Sequence, residues 1–185
     1  MDLRFAFELR DNPYKNESGS EYEIWSRISL SFNDELLFVQ EWNLLPVVEW
    51  YYRVRHNLEK EIPIDNPDDL SIAELRSLLF DKIDNYSTDN YLHKLEGYFL
   101  CHFFTLNGTS MPTFYIGLNN KGVGEVSYFE NGNCVVHNFM MPDFLKHLEC
   151  EINKVLLGWR GSGFYTDEAY GLVFEIQEKY NIKIV

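Results

Sequence analysis

The chain has 185 residues, of which 45% are hydrophobic and 16% aromatic. This length suits one ordinary domain, and so much apolar material excludes a wholly disordered chain. The 29 acidic and 16 basic residues give a net charge of −13, which disfavours nucleic acid and anionic membranes as partners and favours cationic ones. We therefore predict a single globular domain over residues 1–185. An acidic surface also keeps many proteins soluble, so charge alone does not define a function.

The N-terminal sequence lacks the apolar core of a signal peptide, and no apolar run approaches the roughly 18 residues of a membrane span. Three widely spaced cysteines, Cys101, Cys134 and Cys150, do not suggest a disulfide framework and suit a reducing compartment. We expect each of them to be a small buried hydrophobe. The predicted location is the cytoplasm.

Hydrophobic periodicity predicts two paired strands and then a helix. Apolar residues alternate in both strands, at Leu3, Phe5, Phe7 and Leu9 and at Ile24, Ile28, Leu30 and Phe32. The spacing then changes to three and four, which is typical of a helix, at Leu44, Val47, Tyr51, Val54 and Leu58.

A strongly acidic segment, "IPIDNPDDLSIAELRSLLFDKIDNYSTD", follows this helix. Its sequence Ser71-Ile72-Ala73-Glu74 is typical of a capping box, which predicts a second helix with Ile72, Leu75, Leu79 and Ile83 facing inward. Carboxylates occupy the preceding loop and the outward helix face, where they form a predicted partner-binding surface. Its members are Asp65, Asp68, Asp69, Glu74, Asp81 and Asp84.

The region from Glu96 to Phe139 predicts a four-stranded meander, with strands "GYFLCHFFTL", "PTFYIGL", "GVGEVSYF" and "CVVHNF". The turn between the third and fourth strands, "ENGN", contains Asn131-Gly132, a strong hairpin signal because both residues tolerate positive φ. The first of these strands is apolar on both faces, so we expect it to be central in the sheet.

Two further helices and a short strand complete the pattern. The first helix is predicted from Pro142 to Gly158. The second is predicted from about Thr166 to Tyr180, with Glu168, Glu175 and Glu178 facing outward. The β-prone segment "IKIV" predicts a last strand. The order ββ αα ββββ αα β predicts an α+β fold in which about four helices pack on an antiparallel sheet.

No catalytic, metal or cofactor motif stands out. The pairs His102 with Cys101 and His137 with Cys134 point to opposite strand faces, and the sequence lacks a nucleophile elbow, a P-loop and a dinucleotide fingerprint. The segment "RGSGF", Arg160 to Phe164, could cradle an anion, but a connector between two helices has the same composition. We therefore expect a protein that is not an enzyme and that binds no cofactor and no metal.

A small acidic α+β chain without catalytic residues resembles the bacterial immunity proteins that neutralise polymorphic toxins, including those of contact-dependent growth inhibition. The segments "WNLLPVVEWYYRVRHNLEKE" and "PTFYIGLNNKGVGEVSY" are similar to parts of small bacterial proteins of this kind. The resemblance implies a cytoplasmic protein that binds and blocks one cognate toxin domain without a cofactor. A basic nuclease is one such toxin, because an inhibitor of its active site would imitate the charge of nucleic acid.

Two alternatives remain open at this point. One is an enzyme or small-ligand-binding protein with a pocket between sheet and helices, in which His102, His137 or the Arg160 loop supplies polar groups. The other is an adaptor subunit that is acidic for solubility.

Overall fold

The computed structural model describes residues 2–61, 69–83 and 102–183. Within this part the protein has an α+β architecture with four α-helices, as predicted. Its strands form two antiparallel sheets rather than the single sheet that was predicted. The strands are β1 Leu3–Leu9, β2 Trp25–Phe32, β3 Glu35–Asn43, β4 Phe103–Phe104, β5 Phe114–Leu118, β6 Gly124–Glu130 and β7 Asn133–Phe139. The helices are α1 Leu45–Lys60, α2 Ile72–Ile83, α3 Met141–Arg160 and α4 Asp167–Tyr180, and a single 3-10 turn covers Ser20–Tyr22.

The chain clusters into two compact units, which are described separately below. The N-sheet unit comprises Leu3–Arg53 and Phe144–Val185, and the meander unit comprises Met1–Asp2 and Val54–Asp143. The prediction that residues 1–185 form one domain stays a prediction.

The N-sheet unit contains a three-stranded antiparallel sheet in the order β1-β2-β3. The predicted pairing of the first two strands is confirmed, with Phe5 opposite Leu30. Sequence periodicity did not predict β3, which follows a two-residue turn where Asn33 and Asp34 have φ of 47° and 69°. Positive φ at both turn residues matches the twist of the flanking strands, so this turn is a type I′ hairpin.

Aromatic and aliphatic side chains fill the core of the N-sheet unit. Phe5 is fully buried, and its ring centroid lies 6.2 Å from that of Phe144 and 6.5 Å from that of Trp50. The predicted inward stripe of α3 is buried at Leu145, Leu148, Ile152 and Val155. The helix continues past its predicted end at Gly158 to Arg160.

The predicted last helix is confirmed within about one residue. Thr166 is the N-cap of α4, and its Oγ1 accepts a hydrogen bond of 3.3 Å from the Ala169 N–H. Asn181 ends the helix in the left-handed conformation. No strand covers Ile182 and Lys183 of the "IKIV" segment, and its last two residues lie outside the described part.

The meander unit contains an antiparallel sheet in the order β4-β5-β6-β7, which agrees with the predicted sequence of four strands. Among the described residues of the first predicted strand, only Phe103–Phe104 is a strand and His102 is helical. The Asn131-Gly132 turn has φ of 49° and 81°, as a type I′ hairpin requires. The expected central position of the first strand is wrong, since β4 lies at one end of this order among the described strands. Phe103 is accordingly 37% exposed, although Phe104 is buried.

Candidate functional site

The structure describes only part of the predicted acidic surface. Asp65, Asp68 and Asp84 lie outside the described residues, and Asp81 belongs to α2. The surface as a whole therefore stays a prediction. Two of its members, Asp69 and Glu74, make hydrogen bonds to described residues.

Asp69 is exposed and is held by the turn between β5 and β6. Its carboxylate forms an ion pair of 2.6 Å with Lys121 Nζ and accepts a hydrogen bond of 2.7 Å from Asn120 Nδ2. These two hydrogen bonds lower the pKa of Asp69, the bond from Lys121 being the larger cause. A cationic partner would have to compete with Lys121 for this carboxylate.

Glu74 forms the predicted capping box. Its Oε2 accepts hydrogen bonds from the Ser71 backbone N–H at 3.0 Å and from Ser71 Oγ at 2.7 Å. In return, Ser71 Oγ accepts from the Glu74 backbone N–H at 3.3 Å. Glu74 is half-buried, so this member of the predicted surface has a structural role at the start of α2.

Two side chains of β6 complete the cap of α2 from the sheet. Glu125 Oε1 accepts a hydrogen bond of 2.7 Å from the Ile72 N–H, and Ser127 Oγ accepts one of 3.0 Å from the Ala73 N–H. Both residues are buried, and their spacing of two places them on one face of the strand. Together with Ser71, they satisfy the first three N–H groups of the helix, which otherwise lack partners.

We call the capping box and these two side chains the α2 cap. Sequence reasoning predicted the capping box but missed the contribution of Glu125 and Ser127. The available signal was a glutamate and a serine at alternate positions within an otherwise apolar stretch, "GEVSYF". Alternation shows that the two polar side chains share a face, but it does not show which element covers that face. The contact joins residues more than 50 positions apart, which local patterns do not encode.

Burial decides the protonation chemistry of the α2 cap. Desolvation raises the pKa of Glu125, even though the hydrogen bond from Ile72 acts in the opposite direction. Cys134 Sγ lies 3.1 Å from Ser71 Oγ, and burial likewise raises the pKa of this thiol. A raised thiol pKa favours the unreactive form, so the cluster is suited to supporting the helix rather than to nucleophilic catalysis.

The outward face of α4 is an exposed acidic surface. Its carboxylates are all exposed, at Asp167, Glu168, Glu175 and Glu178. Phe174 lies on the same side of the helix and is 50% exposed. The only cation of α4, Lys179, is engaged elsewhere, in an ion pair of 2.7 Å with Glu49 of α1. This face was predicted to be acidic, but it was not among the predicted site residues.

A groove within the N-sheet unit lies beside this face, and we call it the α1–α4 groove. It has a volume of about 290 Å³ and is lined by Asn43 and by four apolar side chains, which we call its floor: Leu45, Pro46, Leu172 and Ile176. Its rim carries Glu49, Glu175 and Lys179. An apolar floor with carboxylates at the rim differs from the flat solvated surface expected of an ordinary acidic helix.

Two other cavities bear on the ligand-binding alternative. One, of about 440 Å³, lies in the meander unit and is lined mainly by apolar side chains that include Leu118, Val123, Phe139 and Met140. The other, of about 200 Å³, lies in the N-sheet unit beside Arg10, Glu23 and Trp25.

Three residues considered for an enzyme site, His102, His137 and Arg160, do not line any of these three cavities. Gly163 and Phe164 of the Arg160 loop do line the third cavity. His102 is buried, and its ring packs so closely on Gly117 that a Cβ there would lie 2.4 Å from His102 Cδ2. His137 is half-buried on β7. The Arg160 guanidinium lies 5.3 Å from the ring centroid of Tyr170, in a cation–π arrangement.

Within residues 2–61, 69–83 and 102–183, no cluster of three or more His, Cys, Asp or Glu side chains could hold a metal ion. No helix in this part of the chain has the length and apolar character needed to cross a membrane. Of the cysteines, Cys134 is half-buried and Cys150 is exposed, so the expectation of burial is wrong for Cys150. Cys101 lies outside the described part.

Comparison with known proteins finds no matching family model, no matching curated protein and no matching solved structure.

Proposed function

We propose that the protein is a cytoplasmic immunity protein that binds a cognate basic toxin domain, such as a nuclease, and neutralises it without a cofactor. The single observation that supports this proposal most is the exposed outer face of α4, which carries four carboxylates and one aromatic side chain, and whose one cation, Lys179, is paired with Glu49 of α1. The predicted acidic surface around α2 would extend the same field.

The negative charge of the protein and the exposed ring of Phe174 would affect the rate of partner binding and its affinity, respectively. A net charge of −13 steers a cationic partner into contact and accelerates association, and salt weakens this effect. Affinity usually depends on a few desolvated anchors, and an exposed aromatic ring such as that of Phe174 is a typical anchor. Phe174 and its surrounding carboxylates therefore offer both components of an inhibitory interface.

The proposal is tested by immobilising the protein and capturing proteins encoded beside it, at low and at high salt. Recovery of one basic protein that salt weakens, and whose toxic activity the protein neutralises, is the expected result. If none of the proteins encoded beside this protein binds to it at either salt concentration, the proposal is wrong.

Charge reversal separates an inhibitor from an adaptor that is acidic only for solubility. Reversal of Asp68, Asp69 and Asp81 tests the predicted α2 surface, but reversal at Asp69 also removes the ion pair with Lys121. Reversal of Glu168 and Glu178 is cleaner, because both are exposed and no hydrogen bond or ion pair of their side chains is found among the described residues. An inhibitor should lose partner affinity, whereas an adaptor with no acidic interface should not.

Binding of a small apolar ligand is a second candidate function. The cavity of about 440 Å³ in the meander unit falls within the roughly 300–1,000 Å³ typical of ligand pockets. An apolar fluorescent dye, Nile red, should then increase its emission on binding, and Val123→Trp, which fills the cavity, should reduce that increase. Dye emission that does not depend on residue 123 would contradict this candidate.

A further inference from the structure

We propose that the α1–α4 groove is a docking site for a long basic side chain, arginine or lysine, of a protein partner. This inference rests on the proposed function, since it assumes a basic protein partner. It specifies a site that differs from the predicted α2 surface, and every residue that forms it lies within the N-sheet unit.

The shape and lining of the groove fit an aliphatic stem. Its volume of about 290 Å³ is at the lower limit for small-molecule pockets, and its floor consists of Leu45, Pro46, Leu172 and Ile176. Arginine and lysine bury their methylene stems along apolar surface and keep the charged head in water. The groove offers a matching arrangement, with apolar contacts below and carboxylates above.

The charges at the rim are arranged so that one carboxylate remains for an incoming cation. Lys179 lies four residues after Glu175, a spacing at which the two would normally pair on a helix. Lys179 Nζ instead contacts Glu49 Oε1 at 2.7 Å and lies 5.2 Å from the Tyr180 ring centroid. Among the described residues, the Glu175 carboxylate therefore has no ion-pair or hydrogen-bond partner.

The ion pair of Lys179 with Glu49 shows that a carboxylate at the rim of the groove can bind a cation. The hydrogen bond to Glu49 raises the pKa of Lys179, with a further contribution from Tyr180. An ammonium group from the chain itself thus occupies one carboxylate of the groove. A partner's guanidinium or ammonium group would occupy the other, Glu175, with its stem along Leu172 and Ile176.

Charge complementarity favours this occupant over others. Glu168 and Glu178 are exposed on the same helix, so the approach to the groove is negative and would repel an anionic ligand. A second copy of this acidic chain would carry the same repulsive charge. A basic protein is the partner whose field matches.

The test uses butylguanidinium as a probe, since it carries the head group and stem of arginine without a peptide. Titration monitored by amide chemical shifts should place the largest changes at Leu45, Leu172 and Glu175. Butylguanidinium should bind at least about threefold more tightly than guanidinium, because the apolar stem adds buried methylene groups. Glu175→Gln should reduce the affinity by at least about threefold, and Glu35→Gln, at an exposed hairpin position, should leave it unchanged.

Several outcomes would overturn the inference. Equal binding of the two probes would show that the apolar floor does not take the stem, and equal binding by Glu175→Gln would show that this carboxylate does not take the head. Self-association that Glu175→Gln abolishes in sedimentation would assign the groove to a second copy instead.

The failure of this inference can be distinguished from failure of the proposed function. If a basic toxin is captured and neutralised while the probe does not bind, only the groove is wrongly assigned. If the probe binds as expected and no toxin is captured, the groove takes basic side chains but the immunity function is wrong.

Discussion

Replacing Glu125 tests the α2 cap, the most definite buried polar feature of the meander unit. Glu125 is 3% exposed, and its Oε1 lies 2.7 Å from the Ile72 N–H. Glu125→Ala removes this acceptor and leaves a buried N–H group without a partner, which costs about 1–3 kcal/mol. Glu125→Gln keeps an amide oxygen in the same place and should preserve the hydrogen bond.

The two variants should differ in how their stability depends on pH. Because burial raises the pKa of Glu125, the folded state binds this proton more tightly than the unfolded state does. The free energy of unfolding of the wild type should therefore fall as pH rises from about 4.3, the ordinary glutamate pKa, to the raised value in the fold. Glutamine does not ionise, so Glu125→Gln should lack this fall and should be at least as stable as the wild type at pH 7.

Urea denaturation between pH 4 and pH 8, with hydrogen exchange at the Ile72 and Ala73 amides, measures both effects. The expected result is faster exchange at Ile72 in Glu125→Ala and wild-type protection in Glu125→Gln. If Glu125→Gln loses more stability relative to the wild type at pH 7 than at pH 4, the carboxylate is stabilised in its charged form and the reasoning is wrong.

Other substitutions test packing and capping. Gly117→Ala should destabilise the protein by about 1–3 kcal/mol in urea denaturation, because the new Cβ would lie 2.4 Å from His102 Cδ2. Gly171→Ala is the control, since its Cβ would meet nothing within 4 Å. This change within a helix should stabilise the protein by about 0.5–1 kcal/mol. Equal effects of the two substitutions would refute the packing argument. Thr166→Ala should cost about 1 kcal/mol, because Thr166 caps α4 and also donates a hydrogen bond of 2.6 Å to the Glu21 carbonyl, and Thr166→Ser should restore most of this loss. A Thr166→Ser variant as unstable as Thr166→Ala would show that the hydroxyl is not responsible.

Periodicity predicted those elements whose buried faces are regular. All five residues of the predicted α1 stripe are buried, from Leu44 to Leu58, because a helix packed on one side needs apolar residues at steps of three and four. The Asn131-Gly132 hairpin was equally legible, since its geometry depends on the local φ preferences of two residues.

Strand β3 could not be predicted in the same way because its pattern is irregular. In "ELLFVQEWN" only Phe38 is buried, while Leu36 and Val39 are 56% and 39% exposed. A register irregularity in its pairing with β2, between Leu30 and Ser31, further breaks the alternation. The remaining signal was the Asn33-Asp34 turn, which is weaker than Asn-Gly.

The predicted central position of β4 was wrong for a different reason. An apolar run on both faces is typical of a central strand, but side chains at a sheet edge can also be covered by other elements. The α2 cap depends on tertiary contacts of Glu125 and Ser127, and the α1–α4 groove depends on contacts between two helices. Such contacts between distant parts of the chain are not visible in the spacing of residues.

The most direct test of an immunity function is the affinity for the captured basic protein as a function of salt concentration, for the wild type and for Glu168→Lys/Glu178→Lys. The account predicts that wild-type affinity falls steeply with salt and that charge reversal weakens binding at low salt by about tenfold or more. Unchanged affinity of the reversed variant across all salt concentrations would contradict the claim that the acidic face of α4 binds the toxin.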